Sequence, residues 1–389
     1  MGLAEPGRAL LFGLPLFHVG GSLTQGLATL ASGGCIVTLT PAGWRDAGMV
    51  RNVWKLVERY RPAVFGGVPT VLAAALSVPV DGADISSVRV ASGGGSAIPV
   101  AVGKAYAELI HGPVLEVYGM TETASVLTMS YPERPPRLGS VGHPLPYSRV
   151  RIVKIDADGN YQGDCGPDEI GVVAMAGPGV FGGYVSDAHN RGAFVEPGWV
   201  NSGDLGRLDA DGYLWITGRA KDLIIRGGHN IDPIVIEEAL TRHPAVETAA
   251  AVGLPDSYAG ELPMAFVQLR PDASAAPEEL REFCRREIPE RAAVPVQVVQ
   301  IPIMPLTGVG KIFKPALRLQ AAQLAFEAAL APLRAEGAMA TVTVRNDSTH
   351  GTLAVVRIAG SSPGSRDTVA KRCSELLGGY QIRHAIDFE

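Results

Sequence analysis

Cysteine is scarce in this chain. Four residues in 389, Cys35, Cys165, Cys284 and Cys373, are widely separated and form no C-x-x-C pair. That spacing argues against a disulfide framework or a zinc site and fits a reducing cytoplasm. An excess of positive charge is also lacking: the net charge is −5 and the isoelectric point about 5.9. No global basic field therefore draws the chain to nucleic acid. Charged residues make up 19% and hydrophobic residues 47%, which argues against a disordered chain and supports a large buried core. No long-period repeat array is present. The 47 glycines and 29 prolines lack the three-residue period of collagen.

From Ala9 to Trp44 there is no Asp, Glu, Lys or Arg. With Arg8 in front, the stretch imitates a signal peptide or a membrane span. Pro15, Pro41, His18 and the glycines at 13, 20, 21, 26, 33, 34 and 43 interrupt it, and a lipid-facing helix could not satisfy its backbone with so many breakers. The stretch reads instead as a buried strand–loop–helix–strand unit, because fully buried strands read as continuous apolar runs. No transmembrane segment is expected.

The remaining pattern is α/β. Strand-like runs at Ala9–Phe12, Cys35–Leu39, Ala63–Phe65, Val88–Ala91 and Val114–Val117 alternate with helical stretches, which implies a mostly parallel sheet with helices on both faces. Asp46 suits the N-cap of a helix carrying Met49, Val50, Val53, Trp54 and Val57 on one face. Pro69 and Pro99 suit first helical positions. From Arg149 to Gly218 short alternating runs (Val150–Ile155, Ile170–Ala174, Tyr213–Ile216) predict a small antiparallel barrel or sheet. The tetrapeptide Asp-Ala-Asp-Gly at 156–159 and 209–212 marks two hairpin turns; as a calcium loop it lacks the later ligands. From Ala220 the chain reads α+β, with helices at Pro233–Arg242, Pro277–Glu287 and Pro315–Arg334 and strands at Thr248–Gly253, Ala265–Leu269 and Pro295–Gln300. Gly337 and the loop Gly360–Ser365 set off a final unit with two strands from Ala340, a helix near Asp367–Leu377 and a last strand at Gln381–Ile386. The expected division is 1–148, an α/β part; 149–220, a small β-barrel; 221–336, a smaller α+β domain; and 337–389, an appended α/β extension.

Three common motifs fail on context. Gly177-Pro-Gly-Val-Phe-Gly182 satisfies G-x-G-x-x-G but lies in the all-β stretch and opens no helix. Gly308-Val-Gly-Lys311 resembles the end of a Walker loop, yet Pro305 and Ile312 occupy its required Gly and Ser/Thr positions. G-x-S-x-G occurs at Gly360-Ser-Ser-Pro-Gly364, but in the loop of the small appended unit and away from the main α/β stretch. What remains is an ordered series: Pro15-Leu-Phe-His18-Val-Gly-Gly21, Gly66-Gly-Val-Pro69, Ser92-Gly-Gly-Gly95, Tyr118-Gly-Met-Thr-Glu-Thr123, Asn201-Ser-Gly-Asp204-Leu-Gly, Gly218-Arg-Ala-Lys-Asp222-Leu-Ile-Ile-Arg-Gly-Gly228 and Pro305-Leu-Thr-Gly-Val-Gly-Lys311. Taken singly, each has a plain reading. Lys311 and Asp204 would be turn residues, His18 a satisfied core histidine, Glu122 a helix-start carboxylate and Tyr118 a core aromatic. In this order, over roughly residues 9 to 330, they resemble the adenylate-forming superfamily of acyl-CoA synthetases, luciferases and peptide-synthetase adenylation domains.

The resemblance implies ATP-dependent joining of a carboxylic acid to AMP, then transfer of the acyl group to a thiol; both steps need charge stabilised on phosphate and carboxylate oxygens. It implies ATP, Mg²⁺ and CoA as cofactors. Lys311, Thr121 and Glu122 become the catalytic candidates. Lys311 supplies a mobile point charge, Thr121 a hydroxyl to phosphate and Glu122 a hard oxygen to Mg²⁺. For ATP or AMP the candidates are Gly93, Gly94, Gly95, Tyr118, Gly119, Thr121, Asp204 and Arg219. The aromatic face of Tyr118 lies on adenine, Asp204 accepts from a ribose diol, and the glycine run gives a flat surface. His18, Gly67, Val68 and Gly93 would line the acyl pocket. Lys221 stands at the hinge, and Gly227 and Gly228 face the CoA thiol.

One departure stands out. The superfamily's Gly/Ser/Thr-rich loop ending in lysine, which wraps the ATP β- and γ-phosphates, normally precedes the Pro15–Gly21 segment and has no match in these 389 residues. The expectation is that this chain alone is impaired in forming the adenylate and exposes apolar surface that a further subdomain would cover. Gly227-Gly-His-Asn-Ile-Asp-Pro233 and Gly260-Glu-Leu-Pro-Met-Ala-Phe266 resemble the CoA-ligase branch. Alternatives are an acyl-AMP ligase that delivers to a carrier protein, a non-catalytic paralogue and, more distantly, a dinucleotide-dependent oxidoreductase. The expected partners are a small carboxylic acid, ATP and CoA, with no nucleic acid; the oligomeric state is open, a homodimer included.

Overall fold

Contacts divide the chain into two units, Met1–Lys221 with Leu306–Lys311, and Asp222–Pro305 with Ile312–Glu389. The structure is a computed structural model and describes residues 6–131, 133–156, 159–336, 338–347, 351–359 and 366–388.

The first unit opens with β1 (Ala9–Phe12), a π-helical turn (Gly20–Leu27), α1 (Ala28–Ala31) and β2 (Cys35–Thr38), the two strands pairing in parallel. This is the expected strand–loop–helix–strand, but it is buried on one side only. Gly21, Gly26 and Thr29 face inward, while Leu16, Phe17, Leu27 and Leu30 are each more than half exposed. The cause is the close approach that glycine permits: a Cβ on Gly21 would lie 2.2 Å from the Pro15 carbonyl oxygen. The small residues take the inner face and the leucines are left outside. Among the described residues no helix is long and apolar enough to cross a membrane.

Next come α2 (Ala47–Arg51), α3 (Val53–Tyr60), β3 (Val64–Gly67), α4 (Pro69–Leu76), β4 (Val90–Gly94), α5 (Val100–Ile110) and β5 (Val114–Tyr118). Asp46 caps α2 by accepting from the Gly48 N–H at 2.7 Å. The expected single helix breaks at Asn52, whose side chain donates to the Gly48 carbonyl at 2.9 Å and so competes with the backbone ladder. Its apolar face survives the break, with Val53, Trp54 and Val57 buried. Pro69 stands at the start of α4 as expected. Pro99 stands one place early, as the N-cap of α5 with ψ 133°, where its missing N–H costs no helical bond. β3, β4 and β5 run parallel, and β6 (Thr128–Met129) and β7 (His143–Pro144) extend the sheet antiparallel. Phe65 and Tyr106 stack beneath it at 6.0 Å between ring centroids, and the Tyr106 hydroxyl donates to the Leu72 carbonyl at 3.0 Å, so its one polar atom is satisfied.

β8 (Arg149–Ile155), β9 (Tyr161–Asp164), β10 (Gly171–Ala176), α6 (Asp187–Asn190), β11 (Phe194–Glu196), β12 (Trp199–Leu208) and β13 (Leu214–Arg219) complete the unit. The strands form an antiparallel sheet in the order β11-β12-β10-β8-β9, with β13 on β12. The copy Asp209–Gly212 turns the β12–β13 hairpin, and β8 pairs antiparallel with β9 on either side of the other; Gly159 (φ 85°) and Gly212 (φ 79°) take the left-handed region that glycine tolerates. Ala157 and Asp158 lie outside the described residues.

The second unit contains β14 (Ile224–Arg226), β15 (His229–Ile231), α7 (Pro233–Thr241), β16 (Val246–Asp256), β17 (Gly260–Leu269), α8 (Pro277–Glu287), β18 (Gln297–Gln300), α9 (Lys314–Ala329) and α10 (Ala331–Ala335). β16 and β17 read as continuous apolar runs because both faces are covered. Ala249, Ala251, Ala265 and Val267 pack with Ile236 and Leu240 of α7 and Leu280 of α8. Ala250, Val252, Met264 and Phe266 pack with Leu317 and Ala321 of α9. The helix expected over Pro315–Arg334 is divided at Leu330, two residues before Pro332, which has no N–H to continue the ladder. α9 turns a second face, Ala322, Ala325 and Phe326, to a three-stranded sheet of β19 (Met339–Asp347), β20 (Gly351–Ala359) and β21 (Arg383–Phe388), which α11 (Arg366–Leu377) also covers. Gly337 and the loop Gly360–Ser365 lie outside the described residues. The architecture is α/β with mixed sheets and helices, as the strand and helix alternation predicts.

Candidate active site

The carboxyl ends of β3, β4 and β5 lie side by side, with Gly67 paired to Gly93, Gly93 to Glu116 and Gly94 to Val117. Such ends are where open parallel sheets bind ligands. The three glycines of the run sit in different settings. Gly93 is buried, and a Cβ there would lie 2.8 Å from Ile98 and 2.9 Å from Leu72. At Gly94 it would meet Val117 at 2.5 Å. Gly95 is the exposed member, with φ 88°, and a Cβ on it would lie 2.7 Å from Lys311 Cε. Glu116, buried in an otherwise apolar strand, accepts from the Ile98 N–H at 3.3 Å and the Gly139 N–H at 2.9 Å and so pins the segment after the run. Sequence reasoning passed over Glu116; its charge within Val-Leu-Glu-Val-Tyr was the available signal.

β5 ends on Tyr118, whose hydroxyl donates to Asp204 Oδ2 at 2.6 Å. Burial, with the Asp204 charge, pushes the phenol well above its usual pKa and keeps it a donor. Asp204 is only 7% exposed, and its Oδ1 lies 3.1 Å from Arg219 Nε across the β12–β13 pair. Tyr118, Asp204 and Arg219 therefore form one connected group. Gly119 is demanded by the backbone itself: a Cβ there would lie 1.7 Å from the Ser125 carbonyl oxygen, because the chain folds straight back. That turn holds two consecutive non-glycine residues at positive φ, Ala124 (53°) and Ser125 (94°). The Thr123 hydroxyl bonds to the Met120 and Ser125 carbonyls, and the Ser125 hydroxyl meets Thr24 at 2.5 Å. The fold thus presents Thr121 exposed and Glu122 half-buried. Glu122 Oε1 accepts from the Tyr184 hydroxyl at 2.7 Å, and the carboxylate pushes that phenol up to about 12. No sequence pattern singled out Tyr184.

Lys311 closes the segment that clusters with the first unit. It is half-buried over Gly95, and burial, then the nearby Arg219 charge, lowers its pKa, with Asp204 acting against them. His18 accepts from the Gly20 N–H on Nδ1 at 3.1 Å; partial burial and then Lys311 lower its pKa. Gly67 and Val68 are buried. Val68 Cγ2 lies 3.2 Å from where a Gly310 Cβ would be. His18, Val68, Gly95, Asp204, Arg219 and Lys311 thus fall in one neighbourhood, with Gly67 and Gly93 beneath it. Lys221 is exposed in the turn Ala220–Asp222, where the first unit ends. Gly227 and Gly228, exposed at φ 57° and 87°, make the β14–β15 turn of the second unit.

Comparison with known proteins gives one consistent answer. A model of the AMP-binding enzyme family matches residues 2–185, and a model of the AMP-binding enzyme C-terminal domain matches residues 235–311. A marinolic acid–CoA ligase of Pseudoalteromonas sp. is 43% identical over 307 residues, 79% of this chain and 47% of its own length. A long-chain-fatty-acid–CoA ligase of Bacillus subtilis is 34% identical over 265 residues, 67% of this chain and 46% of its own length. Among solved structures, an anthranilate CoA ligase in complex with anthranoyl-AMP superposes with a TM-score of 0.74 at 27% identity, covering 84% of this chain and 61% of that one. The chain spans about half the length of the curated relatives it matches.

Proposed function

The chain belongs to the family of AMP-binding, adenylate-forming enzymes, and from that premise we propose that it serves an acid–thiol ligase: a carboxylic acid is adenylated with ATP and its acyl group passed to CoA. The observation that carries this reading is the convergence of Tyr118, Asp204, Arg219 and Lys311 on the carboxyl ends of β4 and β5. Asp204 holds Tyr118 on Oδ2 and lies beside Arg219 on Oδ1, and a carboxylate so oriented is the acceptor that a ribose diol calls for. Lys311, held near Arg219, places two cations where an acyl carboxylate and the α-phosphate would meet. Stabilising charge on those oxygens is the main demand of both half-reactions. Glu122 keeps one oxygen clear of Tyr184, which suits Mg²⁺, an ion that takes one or two carboxylates and keeps several waters; when bound it would screen the phosphate charge. Lys221 would be the swivel point, and Gly227–Gly228 the face offered to the thiol.

The acid we favour is aliphatic and of medium to long chain, because Gly66, Gly67, Val68 and Gly93 are small or apolar and His18 stands beside them; a fatty-acid ligase is among the relatives. The four cysteines are free thiols, which suits the reducing cytoplasm. The 389 residues hold no match to the phosphate-wrapping loop, so pyrophosphate release by this chain should be slow. A missing contact of that kind costs roughly 10²–10³ in rate. Thiolation does not use that loop. The purified chain, given pre-made dodecanoyl-adenylate and CoA, should form dodecanoyl-CoA and AMP. Transfer to a phosphopantetheinyl carrier protein but not to CoA would favour the carrier-protein reading, and turnover with neither would leave a non-catalytic one. Preference for acetyl- or benzoyl-adenylate would overturn the substrate.

A further inference from the structure

We propose that Thr70 is a positioning residue for Lys311: its hydroxyl fastens the Gly310 carbonyl and thereby sets the lysine over Gly95. The inference rests on the reading of Lys311 as the cation of adenylation. Thr70 is the second residue of α4, after Pro69, and the N-cap of that helix is Val68, with no side-chain cap bond. The threonine hydroxyl donates instead to Gly310 O at 2.7 Å, in a half-buried setting. Gly310 is itself buried at φ 82°, with Val68 packed where a side chain would stand. Its segment is tied into a ring, because the Thr307 N–H donates to the Lys311 carbonyl at 2.7 Å and the Lys311 N–H to Thr307 Oγ1 at 3.1 Å. A ring held at one carbonyl moves as a piece, so the Thr70 bond fixes the next residue along. Leu306 and Gly308 on the same ring are exposed, so apolar packing contributes little there and one hydrogen bond is a large share of what holds the segment. Misplacing a charged group by about 1 Å can cost on the order of 10² in rate.

The test uses the 389-residue chain and two readouts that do not depend on turnover: deuterium exchange of the peptide spanning 306–311, and the pH profile of Lys311 acylation by an amine-reactive ester. Thr70→Val removes the hydroxyl at nearly constant shape. Exchange in the peptide should rise about five- to ten-fold, the factor a net hydrogen bond supplies, and the Lys311 profile should move up toward that of an ordinary lysine as its burial is lost. Thr70→Ser should restore both, with the unfolding midpoint unchanged throughout. No change in Thr70→Val, or Thr70→Ser behaving like it, overturns the proposal. If Thr70→Val frees the segment as expected while Lys311→Ala leaves pyrophosphate release unaltered, the fastening stands and the reading of Lys311 as the adenylating cation falls.

Discussion

Gly95 and Gly119 show that one residue type is used for two different physical reasons, and the difference can be measured. At Gly95 the backbone is left-handed and the nearest obstacle is a flexible side chain, Lys311. Gly95→Ala should cost about 1–2 kcal/mol for the left-handed backbone and should displace Lys311. At Gly119 the φ is ordinary but backbone stands 1.7 Å from the added Cβ. Gly119→Ala should cost roughly 3 kcal/mol or more, because a close-packed turn cannot yield. Urea unfolding should separate the two, with the larger fall in midpoint in Gly119→Ala and pyrophosphate release reduced in Gly95→Ala; equal midpoints for the two variants would contradict this assignment. The residues of the candidate site were legible in the sequence because glycines and charged groups recur in a fixed order. Tyr184, Glu116 and the Thr24–Ser125 contact were not, since each acts through a partner 18 to 101 positions away, and no local pattern encodes such a pairing.

α7 carries a built-in pH dependence. Asp232 caps it by accepting from the Ile234 N–H at 2.9 Å, yet burial pushes the carboxyl up to about 6. An acid held more tightly protonated in the fold than in the unfolded chain, where its pKa is about 3.9, stabilises the fold most below about pH 4. That contribution fades as pH rises through about 6. Asp232→Asn keeps a good cap and removes the titration. Between pH 4 and pH 7 the native chain should lose on the order of 2 kcal/mol relative to the variant; parallel pH profiles of urea midpoints would refute it. At this scale the sequence was informative wherever a period was clean. β16 and β17 were recognisable as apolar runs because both faces are buried. The break at Asn52 was not recognisable, because it turns on a side chain choosing the Gly48 carbonyl. Nor was the exposure of Leu27 and Leu30, which depends on what packs against the other side of the turn.

For the whole molecule, the position proposed as the swivel is Lys221. Contacts assign Lys221 to the first unit and Asp222 to the second, where Asp222 is ion-paired with Arg318 of α9. A change of backbone angle between these neighbours would move one unit as a body, since hinge motions are absorbed by a few residues at element ends. Lys311 lies about ninety residues beyond Lys221, on a glycine-rich loop that clusters with the first unit while the chain on either side of it belongs to the second, so a swivel would have to draw that loop away to withdraw Lys311 before the thiol arrives. Two substitutions then act in opposite directions. Lys311→Ala removes a charge and should abolish the pyrophosphate release that the unsubstituted chain retains, while acyl-CoA formation from pre-made acyl-adenylate continues. Lys221→Pro fixes φ near −65° and restricts Ala220 as well. It should leave adenylation measurable and lower thiolation at least ten-fold. Equal impairment of both half-reactions in both variants would mean that the units do not alternate in this protein.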